Sequence, residues 1–385
     1  MTDDQRGGDG PKIVPRSASE ALRPKAGPLP PKRSRGARNQ LVVFFNLLFS
    51  AALFVAVAAI GVVAWGKSEF DGAGPLVAQA SYVVPRNSSL ESIANGLERT
   101  GIITNASVFE YGVRLSGVAG ELKAGEYGFG PAASMREVME KIRSGQSVLH
   151  SVTIPEGWTV KQIFDRVAQE EVLIGDLPPM VAEGALRPDT YRVQRGMSRA
   201  ELIAKMQAAQ TALVEEVWAR RDKDVTEVKD IGQFVTLASI VEKETGRADE
   251  RSRVASVFLN RLRQGMRLQS DPTIIYGIWG GAGKPANEPI RQSHIRSNTP
   301  YNTYVINGLP PGPIANPGRA ALEAVANPSS TKDVYFVADG NGGHIFAETL
   351  DEHNANVRRY REIEKAQNAA AAAGDANPAD PIVAQ

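Results

Sequence analysis

LVVFFNLLFSAALFVAVAAIGVVAW, residues 41–65, is the stretch that decides the topology of this chain. It carries no charged residue, and only Asn46 and Ser50 are clearly polar. As a helix it would be about 37 Å long, which exceeds the roughly 30 Å of a hydrocarbon core. The apolar region of a cleaved signal peptide has only ~7–15 residues, and its basic flank is normally short. We therefore predict a single membrane-spanning helix over residues 41–65.

The segment before this stretch is basic and rich in proline and glycine. Residues 1–40 contain nine Lys/Arg and four Asp/Glu, and they show no apolar periodicity. We interpret them as a disordered basic arm. Because basic residues crowd its end, from Lys32 to Arg38, the positive-inside rule predicts a cytoplasmic N-terminus and an exported remainder. We expect a single-pass protein of the bacterial inner (plasma) membrane whose working part faces the periplasm.

Composition and charge exclude several classes of protein. The 385 residues are 42% hydrophobic and 23% charged, which is ordinary for a globular chain and allows about two or three folded units. No cysteine is present, which excludes disulfide frameworks, thiolate metal sites and cysteine nucleophiles. The net charge of +1 gives no reason to expect nucleic-acid binding, and the four histidines show no zinc-type pairing. We expect no metal, no cofactor and no nucleic-acid partner.

A spacing that occurs three times predicts small strand–helix units after the span. Ser89, Ser134 and Thr159 each stand where a helix N-cap belongs, with apolar residues one, four and eight positions later. Val84-Pro85 and Ile154-Pro155 each begin a strand-like piece ahead of such a helix. Small units of this kind often bind glycans or peptides, and a mere spacer is the alternative.

The rest of the chain predicts a mixed α+β domain. Apolar spacing, caps and turn residues predict helices over 198–221, 231–246, 251–262 and 319–326, loops over 279–317, strands over 334–337 and 344–346 around a turn at 339–343, and a disordered tail over 366–385. The predicted fold class is therefore α+β, with one N-terminal transmembrane helix.

VEKET, residues 241–245, holds the candidate acids Glu242 and Glu244. Both lie at the edges of the apolar face of the predicted helix, and a carboxyl group against apolar neighbours has a raised pKa, as a general acid requires. The helical wheel does not choose between them, and a solvated Glu-Lys-Glu run is the alternative. Three other carboxylates in loop contexts are candidates for a second acid or for turn and cap roles: Asp189, Asp271 and Glu288.

Several long motifs occur in one order. LASIVEKET at 237–245 is followed by RVASVFLNRL at 253–262, MRLQSDPTIIYG at 266–277, PYNTY at 300–304 and GLPPGPI at 308–314, with PDTY at 188–191 before them and YFVA at 335–338, His344 and His353 after them. Together these motifs resemble the MltG (YceG-like) family, the endolytic murein transglycosylases, over residues 80–360.

The resemblance implies a fold, a reaction and a site. It implies a LysM-like region over residues 80–175 and a periplasmic catalytic domain over residues 176–362. It also implies cleavage of nascent peptidoglycan glycan strands between N-acetylmuramic acid and N-acetylglucosamine, which terminates polymerisation, and partnership with peptidoglycan synthases (penicillin-binding proteins). Carried over by motif, the catalytic residue is Glu244, with Glu242 as its rival, and Thr245 is expected to orient the acid.

The implied chemistry needs one carboxyl group and neither metal nor cofactor. The acid protonates the glycosidic oxygen, and the resulting carboxylate takes a proton from the muramic sugar's own primary hydroxyl, which gives an anhydro end; a standard glycosidase needs two carboxylates. Two other functions stay open: a hydrolase in which Asp271 or Asp189 activates water, and a non-enzymatic membrane-anchored glycan-binding scaffold. The candidate sugar contacts, with loop-fixing hydrogen bonds as their alternative role, are Gln269, Asp271, Tyr301, Asn302 and Tyr304.

Overall fold

The computed structural model describes residues 39–374. Almost all of the arm predicted over residues 1–40, and residues 375–385 of the predicted tail, therefore lie outside the described residues. The chain divides into two compact units, residues 1–68 and residues 69–385.

One helix, α1 (Gln40–Asp71), provides most of what is described of the first unit. It is the single helix within residues 39–374 that is long and apolar enough to cross a membrane. Its large apolar side chains are exposed along its length, as suits a surface that meets lipid rather than a protein core. The helix continues six residues past Trp65, the predicted end of the span.

The second unit begins with an N-terminal lobe, residues 69–145. Its elements are β1 (Ala80–Val84), α2 (Leu90–Arg99), α3 (Ala106–Leu115), β2 (Gly125–Phe129) and α4 (Met135–Ser144). β1 pairs antiparallel with β2, and the two helices between them close over a core that includes the fully buried Leu97 and Phe109. Phe70, near the end of α1, is buried in this same core.

A middle lobe, residues 149–206, follows. Its elements are β3 (Leu149–Thr153), α5 (Val160–Ala168), β4 (Leu173–Ile174), β5 (Thr190–Gln194), β6 (Met197–Ser198) and the first half of α6 (Arg199–Ala219). β3 pairs antiparallel with β5, and β4 pairs parallel with β6. These pairings join residues on both sides of the domain boundary expected at 175/176, so the core does not divide there.

The C-terminal lobe, residues 207–374, contains the candidate acids. It comprises the second half of α6, α7 (Ile231–Glu244), α8 (Arg251–Arg263), α9 (Asp271–Trp279), α10 (Gln292–Ile295), α11 (Arg319–Ala326), β7 (Tyr335–Ala338), β8 (His344–Ala347) and α12 (Leu350–Gly374). α7, α8 and α11 share one hydrophobic core, and β7 pairs antiparallel with β8. The mixed α+β class is confirmed.

The predicted N-caps are confirmed by their hydrogen bonds. Ser89, Ser134, Thr159 and Ser198 each accept a bond from the backbone N–H three residues later. The strand-like pieces are placed differently from the prediction. β1 ends at Val84, directly before Pro85, and β3 ends at Thr153, two positions before Pro155, so both strands precede their proline, which has no N–H to donate to a ladder.

Two further differences concern helices. α9 lies in a stretch for which the sequence pattern gave no element, and it begins directly at Asp271. α12 continues through Ala366, where the disordered tail was expected to begin, as far as Gly374. The run of alanines that suggested a tail is also a strong helix former, which explains this outcome.

Neighbouring residues of α3 provide a test of the N-terminal core. Phe109 is fully buried and Tyr111 is 68% exposed. We expect Phe109→Ala to lower the free energy of unfolding of this lobe by about 3–5 kcal/mol, because it leaves a cavity. Tyr111→Ala is the control, with an expected change within about 0.5 kcal/mol. Denaturant titration of both variants checks this, and equal losses would contradict the packing described here.

Candidate active site

The site is built around the last residue of α7. Asp230 caps the start of this helix by accepting a bond from Gln233 N, and a run of buried residues from Phe234 to Val241 holds the helix in the core. The helix ends at Glu244, where the core meets the surface, so the carboxyl group is only partly exposed. Its Oε1 accepts a hydrogen bond from the hydroxyl of Ser270.

The electrostatics of Glu244 suit a group that exchanges protons near neutral pH. Burial raises the pKa of Glu244 from an ordinary 4.5 to about 7, and the hydrogen bond from Ser270 partly offsets this rise. The charge of Asp271 raises the pKa further, while His344 and Arg261 lower it. A carboxyl group with a pKa near 7 can both donate and accept a proton at physiological pH.

Glu242 has a different environment. Its Oε2 accepts a hydrogen bond of 2.9 Å from the backbone N–H of Gly318, the residue that precedes α11. Burial raises the pKa of Glu242 too, against the effect of this bond. The carboxyl group of Glu242 therefore links α7 to the start of α11, where a negative charge also meets the positive end of the helix dipole.

Ser270 is the residue that sequence reasoning missed. It is 2% exposed and occupies the N-cap position of α9, yet its side chain makes no cap hydrogen bond. The hydroxyl donates to Glu244 instead. Two features of the motif at 266–277 could have drawn attention to Ser270. It directly precedes Asp271-Pro272, which is a typical helix start, and a second hydroxyl residue, Thr273, lies three positions later.

A buried set of hydroxyl groups fixes Ser270. Its backbone N–H donates to Thr303 Oγ1 at 2.9 Å, and its carbonyl accepts from Thr273 Oγ1 at 2.6 Å. The two threonine hydroxyls lie 2.8 Å apart, and both residues are fully buried. Gln269, the residue before Ser270, has a φ of 53°, which is a left-handed conformation that is rare for a residue with a side chain. The backbone is thus held in an uncommon conformation directly before Ser270.

The side chain of Arg261 also holds the loop before Ser270 in place. Its guanidinium is buried and donates to the carbonyls of Arg267 at 3.1 Å, Leu268 at 2.8 Å and Val334 at 2.6 Å. Burial lowers the pKa of Arg261, and no carboxylate of the described residues lies within ion-pair distance of it. A buried cation therefore joins α8, the loop before Ser270 and the residue that leads into β7.

The predicted sugar contacts divide into two groups. Gln269 and Asp271 flank Ser270 and are exposed, and the hydroxyl of Tyr304 donates to Asp271 Oδ1 at 2.7 Å. These three residues therefore lie beside the acid. Tyr301 packs instead against Tyr276, with ring centroids 4.8 Å apart, at the margin of the core.

Asn302 has the loop-fixing role that the sequence left open. It is fully buried, its Nδ2 donates to the carbonyls of Ile295 at 3.0 Å and Ser297 at 2.7 Å, and its Oδ1 accepts from Tyr304 N at 3.0 Å. The amide has no free face for a sugar. It closes the loop that places Thr303 against Ser270.

Thr245 was expected to orient the acid, but its hydroxyl makes no hydrogen bond to the carboxyl group of Glu244. It is buried at the C-cap of α7, and its Oγ1 accepts a bond from Arg247 N at 3.1 Å. The threonine therefore shapes the turn after the helix. The hydroxyl that orients Glu244 comes from Ser270, which is twenty-six positions further along the chain.

A partly buried carboxyl group that the sequence did not suggest lies at Glu183. It accepts bonds from Val160 N at 2.8 Å, Tyr276 OH at 3.1 Å and Asn316 Nδ2 at 3.1 Å, and burial raises its pKa. These donors come from the middle lobe and from two segments of the C-terminal lobe. Glu183 therefore joins the lobes rather than facing a substrate.

No group of three or more His, Cys, Asp or Glu suited to a metal ion occurs within residues 39–374. Of the spare carboxylates, Asp271 is the one whose charge raises the pKa of Glu244. Asp189 directly precedes β5, and it pairs with Arg187 at 3.2 Å.

Similarities to known proteins cover most of the second unit. A family model described as the YceG-like family matches residues 82–359. The endolytic murein transglycosylase of Bacillus subtilis (strain 168) is 32% identical over 309 residues, which are 72% of this chain and 83% of that protein. The protein of the same name from Streptococcus pneumoniae serotype 2 (strain D39 / NCTC 7466) is 28% identical over 323 residues, with 72% of this chain and 57% of that protein covered. A solved YceG-like protein of Listeria monocytogenes is 30% identical, with a TM-score of 0.45, and the match covers 72% of this chain and 98% of that one.

The hydrogen bond from Ser270 can be tested by titration. We expect Ser270→Ala to raise the pKa of Glu244 above its value of about 7, because the bond stabilises the charged form. Thr245→Ala is the control and should leave that pKa in place. Carbon-13 NMR of the glutamate carboxyl carbons against pH measures both, and a shift in Thr245→Ala alone would return the orienting role to Thr245.

The raised pKa also predicts a pH-dependent stability. Since the folded state binds the proton of Glu244 more tightly than the unfolded chain, this residue's contribution is fully present below about pH 4 and is lost as the pH rises through about 7. Above pH 8 the buried carboxylate then costs about 3 kcal/mol. We expect Glu244→Gln to raise the melting temperature above pH 8, with a gain that shrinks towards pH 5.

Glu215→Gln, which changes an exposed carboxyl group on α6, is the matched control for that experiment. Calorimetry of the two variants and the parent chain at several pH values separates the effects. A gain in Glu244→Gln that does not depend on pH would contradict the burial of this carboxyl group.

Proposed function

The chain belongs to the YceG-like family, and we propose that it is an endolytic murein transglycosylase in which Glu244 is the catalytic acid. The expectation drawn from its motifs, that it is a lytic transglycosylase of peptidoglycan, is confirmed by the names of its relatives. The observation that carries the assignment to Glu244 is its position: a carboxyl group with a pKa of about 7, at the surface end of a buried helix, bonded to Ser270.

The geometry assigns different tasks to the two oxygens of Glu244. Oε1 accepts from Ser270, while Oε2 accepts no hydrogen bond from the described residues. In the proposed reaction, the protonated carboxyl group gives its proton to the glycosidic oxygen between N-acetylmuramic acid and N-acetylglucosamine, as an oxocarbenium-like charge develops on the muramic sugar. Ser270 holds the carboxyl group in one orientation throughout this transfer.

The second half of the reaction uses the same carboxyl group as a base. Having lost its proton, the carboxylate of Glu244 takes the proton of the muramic sugar's primary hydroxyl, whose oxygen then bonds to the anomeric carbon. The glycan is cut, an anhydro end forms and the acid is protonated again. The reaction therefore consumes no water and needs no second carboxylate. A pKa near the working pH favours a group that must act in both directions.

The residues beside the acid are the proposed sugar contacts. Gln269, Asp271 and Tyr304 lie next to Ser270 and offer amide, carboxylate and hydroxyl groups. Tyr301, which is packed against Tyr276 and partly exposed, is a further candidate because aromatic rings suit sugars. We assign Asn302 to the support of this loop, since its amide is used by the backbone.

We further propose an orientation and a partner. The basic residues before α1 support a cytoplasmic N-terminus and a periplasmic catalytic lobe at the inner membrane. The strand–helix–helix–strand order of the N-terminal lobe supports a LysM-like region. Tethering at the membrane supports action on strands that peptidoglycan synthases, the penicillin-binding proteins, have just made.

Product analysis tests the reaction and the acid together. The full chain in detergent is incubated with un-crosslinked glycan strands, and the ends are identified by mass spectrometry. We expect anhydro-muramic ends from the parent chain and a loss of at least about 100-fold in rate for Glu244→Gln, the usual scale of general acid–base catalysis. Glu242→Gln is the control, since its side chain can still accept from Gly318, and it should stay within a few-fold of the parent.

Other results would redirect the assignment. Reducing ends would indicate hydrolysis, with Asp271 as the base to examine next. Loss of activity in Glu242→Gln with retention in Glu244→Gln would exchange the two glutamates. Glycan binding without any cleavage would favour the scaffold.

A further inference from the structure

α3 of the N-terminal lobe exposes two large apolar side chains on one face. Tyr111 is 68% exposed and Leu115 is 87% exposed, and they lie one helical turn apart. Ser107, also exposed, extends this face by another turn. On the opposite side of the helix, Phe109 and Val113 are fully buried. Exposed apolar residues usually occur singly, so a pair on one face requires an explanation from its location.

The location is set by the chain itself. Phe70 lies in the same core as α3: its ring centroid is 6.4 Å from that of Phe109, and it occupies the space where a Cβ on Gly112 would stand. Only five positions separate Phe70 from Trp65, the end of the apolar run. Five residues span at most about 18 Å even when fully extended. α3 is therefore kept close to the membrane surface whatever path the connection takes.

The residues on either side of Phe70 secure the chain to the lobe. Glu69 accepts a hydrogen bond from the hydroxyl of Thr104, and Asp71 pairs with Arg136 Nε at 2.6 Å. The guanidinium of Arg136 also lies 5.2 Å from the centre of the Phe70 ring. Three successive residues are thus fixed, which leaves the N-terminal lobe little freedom to move away from the segment that enters it.

We propose that the face formed by Ser107, Tyr111 and Leu115 rests in the headgroup region of the phospholipid bilayer, as a second membrane contact in addition to α1. A tyrosine suits this position because its ring is apolar and its hydroxyl is polar. Arg114, whose side chain is 61% exposed, pairs with Glu110 on the same helix, and exchange of this exposed partner for a lipid phosphate would add to the contact. The inference rests on α1 spanning the membrane and does not depend on the reaction.

The absence of cysteine from the whole chain makes this contact measurable. Ser107→Cys places one environment-sensitive fluorophore on the proposed face and leaves Tyr111 and Leu115 in place. The full chain is reconstituted into vesicles of phosphatidylethanolamine and phosphatidylglycerol that contain a lipid with a nitroxide high on its acyl chain. Lys223→Cys, an exposed position in the C-terminal lobe, carries the same label as the control.

We expect the label at position 107 to be quenched by the nitroxide lipid at least about twofold more than the label at position 223, and to be less accessible to aqueous iodide. Adding Tyr111→Ser and Leu115→Ser to Ser107→Cys should reduce the lipid quenching to the level of the control. Since both side chains are mostly exposed, the melting temperature should not change.

Three results would overturn the proposal. Equal lipid quenching at positions 107 and 223 would place the face in water. Protection of position 107 from both lipid and iodide would mean that another protein, or a second copy of this chain, covers it. Lipid quenching that persists in the double-serine variant would mean that Tyr111 and Leu115 do not make the contact.

Discussion

The hydrogen bond between Ser270 and Glu244 is the interaction on which the site depends. A carboxyl group at the end of a helix can rotate freely unless a fixed donor holds it, and a donor on a loop is fixed only if the loop is. Here the loop is held by a buried cation, Arg261, and by the hydroxyls of Thr273 and Thr303. These buried polar groups therefore fix the position of a single hydrogen-bond donor, the hydroxyl of Ser270.

Ser270 shows what this arrangement costs locally. A serine at an N-cap normally bonds its own helix, which is typically worth about 1 kcal/mol. Ser270 gives its hydroxyl to Glu244 instead, and the residue before it, Gln269, has a left-handed backbone. Departures from local rules concentrate where function requires them. Glu242 illustrates the opposite case. Its carboxyl group accepts a hydrogen bond from the backbone N–H of Gly318 at the start of α11, where a negative charge is ordinarily favoured, and it thereby stabilises the fold.

The sequence predicted the parts of this structure that depend on short-range patterns. The caps at Ser89, Ser134, Thr159 and Ser198 and the hairpin of β7 and β8 follow from spacing within a few residues. For Asn302 the sequence left sugar contact and loop fixing open, because the choice depends on how the loop over residues 295–304 folds. It could not predict Ser270 as the partner of Glu244, because that pairing depends on which distant segments meet. The same limit explains the middle lobe, where β3 pairs with β5 across an expected boundary.

Contacts between the lobes join the N-terminal lobe to the lobe that carries Glu244. Glu126 of β2 accepts from Arg195 Nε at 2.8 Å and bonds His150 at 2.9 Å, which joins the N-terminal lobe to the middle lobe. Glu183 and Asn316 then join the middle lobe to the C-terminal lobe. Asn316 is fully buried, so its bond to Glu183 is shielded from the screening that weakens surface pairs, whereas Arg195 and His150 are partly exposed. The N-terminal lobe, into whose core Phe70 packs, is therefore joined by two successive sets of side-chain bonds to the lobe that carries Glu244.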